Sequence, residues 1–203
     1  MITSLFFKST ILFFILLNPF LMSIYLLEII QGVSRIDFAK ILTRATVISI
    51  LTFSLFVVGG DAVFTELFQV RFESFQIFGG LIFLFIGLKY VFEGSEAIRL
   101  IRGDAAHIAG SVAMPFMIGP GTIWASVLSG NTLGPTMGLL SMAVGVITAV
   151  CGLFAFKIVY DRMLTRNHSL FERYVDVIGR VSSLWIGAIS VQMILSGFKG
   201  WGY

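Results

Sequence analysis

The chain alternates long apolar runs with short polar connections. The runs extend over Ser9–Leu27, Ala45–Gly60 (with a start as early as Ile41), Phe75–Phe92, Ala109–Leu128, Leu133–Phe156 and Val181–Phe198. Between them stand Glu28–Arg44, Asp61–Ser74, Glu93–His107, Ser129–Thr132 and Lys157–Arg180. A helix needs about 20 predominantly apolar residues to cross a hydrocarbon layer of about 30 Å, and the runs approach that length. Ile11–Leu17 and Leu81–Leu88 are continuously apolar, whereas a membrane barrel needs strands of alternating polarity. The pattern predicts an all-α membrane protein of six transmembrane helices, forming one transmembrane domain over residues 1–203. The first run follows Lys8 as the core of a signal peptide would, but it continues to Leu27 with no Ala-x-Ala-like cleavage site. It is expected to be retained as the first helix.

Composition removes the soluble alternative. Only 12% of the residues are charged and 57% are hydrophobic. A soluble domain carries roughly a quarter charged residues, so too little polar surface is left for a coat facing water. The net charge of +3 does not point to nucleic acid, because the basic residues gather at the ends of the apolar runs. With six crossings, Lys8, Arg71 and Lys199 fall on one side and the other eleven of the 14 basic residues on the opposite side. The positive-inside rule then places the basic-rich connections in the cytoplasm. Both termini would face the outer, periplasmic side of a bacterial or archaeal inner membrane. Lys89 and Lys157 lie near run ends and are expected to anchor at the interface. The single cysteine, Cys151, stands inside an apolar run, and the two histidines, His107 and His168, stand in connections. Neither a disulfide framework nor a Cys/His metal site is expected. No cofactor is implied.

Two halves of the chain share features. Asn18-Pro19-Phe20 in the first run parallels Met114-Pro115-Phe116 in the fourth, and Phe78-Gly79-Gly80 in the third parallels Val181-Ser182-Ser183 in the sixth. The offsets are unequal, so the likeness is one of pattern. A unit of three crossings enters its second copy from the opposite face. Residues 1–92 and 109–203, joined by a cytoplasmic connection at 93–108, would therefore form a 3+3 inverted repeat, an architecture common among transporters.

The candidate chemistry lies where helices break. Asn18-Pro19 falls near the middle of the first run, and Gly119-Pro120-Gly121-Thr122 at a similar depth in the fourth, downstream of Pro115. Proline removes a donor and clashes with the preceding turn. Unwound backbone is tolerated at membrane depth only against protein or a water-filled cavity. Helices 1 and 4 are thus expected to be discontinuous, with both breaks facing the interior. A half-helix N-terminus attracts a carboxylate, and facing carbonyls with Asn18 and Thr122 attract an ammonium or a cation. A zwitterionic amino acid satisfies both; a proline kink without ligand is the competing explanation. Gln192 in the sixth run either bonds another helix or lines the path. Gly138, Ser141, Gly145, Thr148 and Gly152 recur three and four residues apart along the fifth run and predict a close-packing face, with Gly79 and Gly80 as packing or hinge positions in the third. No ionisable residue lies centrally in a run, which argues against a buried carboxylate relay and leaves the coupling ion, H+ or Na+, unidentified.

The stretch Ala113-Met114-Pro115-Phe116-Met117-Ile118-Gly119-Pro120-Gly121-Thr122-Ile123 closely resembles the signature of the MarC family of membrane proteins. Ile77-Phe78-Gly79-Gly80-Leu81-Ile82 is similar to that family's Ile-Ala-Gly-Gly segment, and Val191-Gln192-Met193-Ile194 to Gly197 resembles its Val-Gln-Phe-Ile-x-x-Gly ending. The chain departs from the pattern at Leu21 and Ile24, where Gly and a second Pro are usual, at Gln76 in place of Arg, and at Ser183 in place of Gly. The resemblance implies six helices, outward termini and kinship with LysE-type exporters and SnatA-like small neutral amino acid transporters. A secondary transporter of such amino acids is therefore expected, with a non-transporting assembly or structural protein as the alternative. No catalytic pair, nucleophile or metal cluster stands in the runs, so no enzyme is expected. The expected partners are the bilayer and a small polar solute, with self-association left open.

Overall fold

The computed structural model describes residues 2–94, 117–163 and 168–202, all of them in helices and short turns. Pro115, residues 95–108 of the central connection and residues 109–116 of the fourth run lie outside the described residues. The helices are α1 (Ile2–Leu17), α2 (Pro19–Tyr25), α3 (Leu27–Gly32), α4 (Arg35–Gly59), α5 (Phe72–Glu93), α6 (Pro120–Met163) and α7 (His168–Gly200), with a short π-helical turn at Val63–Leu67 before α5. Among the described residues five helical segments are long and apolar enough to cross a bilayer: Ile2–Ser23, Arg35–Gly59, Phe72–Glu93, Pro120–Arg162 and Asp176–Gly200.

The fourth of these is a hairpin. Gly134 adopts φ 75°, ψ 165° ahead of Pro135, and the helix folds back there. Ser129 and Ser141, twelve residues apart in sequence, bring their hydroxyls within 3.0 Å, which a straight helix forbids. The reversal thus comes after the 129–132 turn that composition suggests. The chain is still helical at Thr132, whose hydroxyl donates to the Leu128 carbonyl one turn back at 2.7 Å. Within the hairpin Gly134 alone takes a positive φ, the backbone that side chains resist. The first arm, residues 120–133, is about 21 Å long at 1.5 Å per residue, short of a full crossing.

Helix α4 begins ten residues before the predicted run, inside the polar segment Glu28–Arg44. Ser34 caps it, accepting the Asp37 N–H at 3.2 Å while its hydroxyl donates to the Asp37 carboxylate at 2.7 Å. Arg35, Lys40 and Arg44 therefore ride on the helix rather than in a loop. Likewise α1 begins at Ile2 and α7 at His168, each ahead of its apolar run.

Register orders the bundle. Helix α1 runs parallel to the second arm of α6, residues 135–163: Ser9 meets Ser141, Phe13 meets Gly145, and Pro19 meets Gly152. Helix α4 runs antiparallel to that arm, from Arg35 beside Asp161 to Val57 beside Gly138. Helix α5 runs antiparallel to α7, with Gly80 at Ile194, Gly87 at Gly187 and Gly94 at Arg180. At Gly80, Gly87 and Gly145 a backbone carbonyl of the neighbouring helix stands within 3.3 Å of where a Cβ would lie, so there the backbones themselves pack. One end of the bundle collects Arg35, Lys40, Arg44, Lys157 and Arg162; the other collects the Gly134 turn, Arg71 and Lys199. At the second end Arg71 donates to the Gly200 carbonyl at 3.1 Å and lies over the Trp201 ring.

Candidate functional site

The first break forms because proline follows asparagine. Pro19 has no N–H to offer the Ile15 carbonyl. Asn18 takes a left-handed backbone at φ 40°, a conformation asparagine tolerates better than other residues with a side chain. Its Oδ1 then accepts the Leu21 N–H at 3.2 Å and caps α2. Among the described residues the carbonyls of Ile15, Leu16 and Leu17 receive no backbone N–H, and the Asn18 amide Nδ2 donates to no neighbour. Asn18 is 6% exposed, so these polar groups are turned into protein.

The second break is a helix start. Gly119 precedes Pro120, which opens α6 at the one position where a missing N–H costs nothing. Thr122 closes the turn: its hydroxyl accepts the Gly119 N–H at 3.0 Å and lies 2.9 Å from the Met117 carbonyl and 3.0 Å from that of Gly119. Its single proton is thereby committed within the turn. The N–H groups of Gly121 and Thr122 have no acceptor among the described residues.

The two breaks meet. Ser9 donates to Ser129 at 2.9 Å, and seven residues further along α1 Leu16 lies beside Gly121 on the antiparallel arm. Two more residues along that register bring Asn18 level with Gly119 and Pro120. Phe83 of α5 links the levels: its ring packs against Gly119 and Gly121 and belongs to the cluster of Leu21, Tyr90 and Ile186. Gly79 of α5 abuts Pro120, while Gly80 abuts the Ser190 carbonyl of α7. At one level the fold therefore gathers Asn18, Pro19, Gly79, Gly119, Pro120, Gly121 and Thr122. The C-terminal end of α1, which leaves carbonyls over, thus approaches the N-terminal end of α6, which leaves N–H groups over, at the contact of Leu16 with Gly121.

Other sequence candidates lie elsewhere. Gln192 is exposed on the outer face of α7, where its amide donates to Ser196 at 3.2 Å, away from the breaks. Gly138, Gly145 and Gly152 lie against Val57, Thr10–Phe13 and Pro19 respectively, and Ser141 is fully buried. Thr148 is exposed and bonds only its own helix, at the Val144 carbonyl. Of the departures from the family pattern, Leu21 fills the Tyr90 and Ile186 cluster, Gln76 is buried, and Ser183 turns its carbonyl to Gly87.

Two polar clusters escape sequence reading. The hydroxyls of Ser9, Ser129 and Ser141 lie 2.9–3.0 Å from one another and tie α1 to both arms of the hairpin. Lys157 does not reach for water: it is 3% exposed, donates to the Ile30 carbonyl of α3 and pairs with Asp161 at 2.8 Å. Asp161 also binds Arg35 at 2.7 Å. A buried ammonium needs such partners, and here they bind the ends of α3, α4 and α6 together. Serines in apolar runs and a Lys-x-x-x-Asp pair carry no long-range signal by themselves.

Known proteins are alike over nearly the whole chain. An "UPF0056 membrane protein" of Aquifex aeolicus is 25% identical, covering 96% of this chain and 92% of its own length. The Escherichia coli "UPF0056 membrane protein YhcE" is 25% identical over the same shares, and the "UPF0056 inner membrane protein YhgN" is 26% identical over 79% of each chain. No solved structure matches. The model of the MarC family of integral membrane proteins matches residues 3–202, and the chain belongs to that family.

Proposed function

We propose that the chain is a secondary transporter that moves small neutral amino acids across a bacterial or archaeal inner membrane by alternating access. The observation that carries this reading is the meeting of the two breaks at one level, with opposite polarity. The carbonyls of Ile15, Leu16 and Leu17, which receive no backbone N–H among the described residues, suit an ammonium; the N–H groups of Gly121 and Thr122, with the Asn18 amide, suit a carboxylate. A small side chain is favoured because Phe83 and Leu16 crowd Gly121. Thr122 acts by holding the turn rather than by touching solute, and Gln192 has no part in binding.

The antiparallel pairing of α1 with the first arm, α4 with the second arm and α5 with α7 supports a 3+3 inverted repeat of six crossings. In such a repeat one half rocks against the other around a fixed midplane site. Phe83, wedged between the breaks, would have to swing aside for solute to enter. The basic end would face the cytoplasm, with the Lys157–Asp161–Arg35 cluster closing that side.

The test is uptake of labelled glycine, alanine, serine and threonine into proteoliposomes holding the purified chain. Saturable uptake that falls in the Asn18→Gly variant is expected. Folded protein that moves none of a broad amino acid panel would overturn the proposal and favour an assembly role.

A further inference from the structure

The basic end of α4 carries a second feature, a groove of about 490 Å³ between α4 and the second arm of α6. Arg35, Ile36, Ala39, Lys40, Thr43 and Arg44 line it from α4, and Phe154 from α6. The α4 residues recur at helical spacing and form one stripe. The groove is apolar along its floor and cationic along its rim, and no carboxylate lines it. Of the three cations, Arg35 is shared with Asp161. Lys40 makes a loose pair with Asp37 at 3.3 Å, both side chains more than half exposed. Arg44 has no ion-pair partner among the described residues. Among the described residues Arg35 pairs with Asp161, Lys40 with Asp37 and Arg44 with neither, which leaves a net positive rim.

Depth matters as much as charge. Helix α4 has 25 residues and so is about 37 Å long, more than the roughly 30 Å of hydrocarbon. Its first turns therefore stand at the headgroup boundary, and the stripe from Arg35 to Arg44 climbs from there towards the acyl chains. An occupant must offer an anion at the rim and hydrocarbon below it. We propose that this groove binds an anionic phospholipid, with its phosphate at Lys40 and Arg44, whose long side chains reach back towards the start of α4 and the headgroup boundary, and an acyl chain running inward past Phe154. Basic pockets between membrane helices recognise lipid headgroups by this combination. The volume falls within the roughly 300–1,000 Å³ of small-ligand sites.

The test is native mass spectrometry of the full chain in detergent with added phosphatidylglycerol, cardiolipin or phosphatidylcholine. The anionic lipids should be retained and phosphatidylcholine lost. The double variant Lys40→Gln/Arg44→Gln should bind phosphatidylglycerol roughly thirtyfold more weakly, as each basic residue near an anionic surface contributes about fivefold. Lys199→Gln, at the other end of the bundle, should change nothing. Phosphatidylglycerol should also raise the melting temperature of the parent chain and not that of the double variant, which checks that the variant is folded. Equal retention of anionic and zwitterionic lipid, or unchanged binding in the double variant, overturns the proposal. Displacement of the lipid by inorganic phosphate alone would make the groove a free-anion site, and a second copy of the chain in place of lipid would make it an interface; either overturns the lipid assignment.

Discussion

The breaks in α1 and before α6 occupy the same level and are built in opposite ways. In α1 the chain continues past a single left-handed residue, and the groups left over are carbonyls. Before α6 a helix starts afresh, and the groups left over are N–H. Asn18 caps the helix that follows it and its amide NH2 meets no acceptor among the described residues, whereas Thr122 commits its whole hydroxyl to the turn. Both motifs are a small or polar residue before proline, yet one yields mainly acceptors, three carbonyls against the single N–H of Phe20, and the other donors. The difference arises because α1 arrives at the level with its C-terminal end and the first arm of α6 leaves it with its N-terminal end. Binding capacity at such a site therefore belongs to helix direction as much as to side chains.

The comparison breaks most readily at Thr122. Thr122→Val leaves the Gly119 N–H and the Met117 carbonyl without their partner in protein interior, which should cost about 2–6 kcal/mol at about 1–3 kcal/mol per buried orphan. Thermal unfolding in detergent measures it, and Thr122→Ser should restore most of the loss. Next comes Gly121→Ala, whose added carbon overlaps the Phe83 ring, at a cost of about 1–3 kcal/mol. Combining it with Phe83→Leu should recover part of that cost, a coupling that a double-mutant cycle reads.

Asn18 separates backbone from side chain. Asn18→Ala should destabilise by about 1–2 kcal/mol, since the left-handed backbone disfavours a Cβ and the α2 cap is lost. Asn18→Gly suits the backbone and should cost only a few tenths of a kcal/mol. Uptake by the glycine variant should nevertheless fall about tenfold, as expected for one lost hydrogen bond to a charged solute. Unchanged uptake would remove Asn18 from the site and leave it a capping residue. The smallest effect belongs to Gln192→Ala, which should shift stability by less than about 0.5 kcal/mol and leave uptake unaltered, because its side chain lies on the outer face. A large loss of uptake there would move the path to α7.

Much of this was legible along the chain. The apolar runs mark where membrane helices lie, because the bilayer demands length and hydrophobicity whatever the neighbours. Asn18-Pro19 and Gly119-Pro120 mark breaks, because proline removes the same donor in any fold. Boundaries were less legible. Arg35, Lys40 and Arg44 read as a polar connection, but Ser34 caps a helix that carries them, and nearby carboxylates and exposure satisfy their charge. The hairpin reads as a turn at 129–132, yet Thr132 and Ser129 find partners there and the chain stays helical until Gly134.

The sequence by itself determined that this is a membrane protein of the MarC family, helical, with polar breaks at two identifiable points. Those properties follow from local chemistry: hydropathy, proline and glycine. Only the tertiary structure decided that the two breaks share a level, that they present groups of opposite polarity, that Phe83 stands between them and that Gln192 does not reach them. It also decided that Lys157 is buried against Asp161 and the Ile30 carbonyl rather than anchored at the interface. Each of these depends on the direction and register of helices distant along the chain. Small-residue contacts such as Gly145 against Phe13 and Gly87 against Gly187 set that register, and no pattern within a single helix contains it.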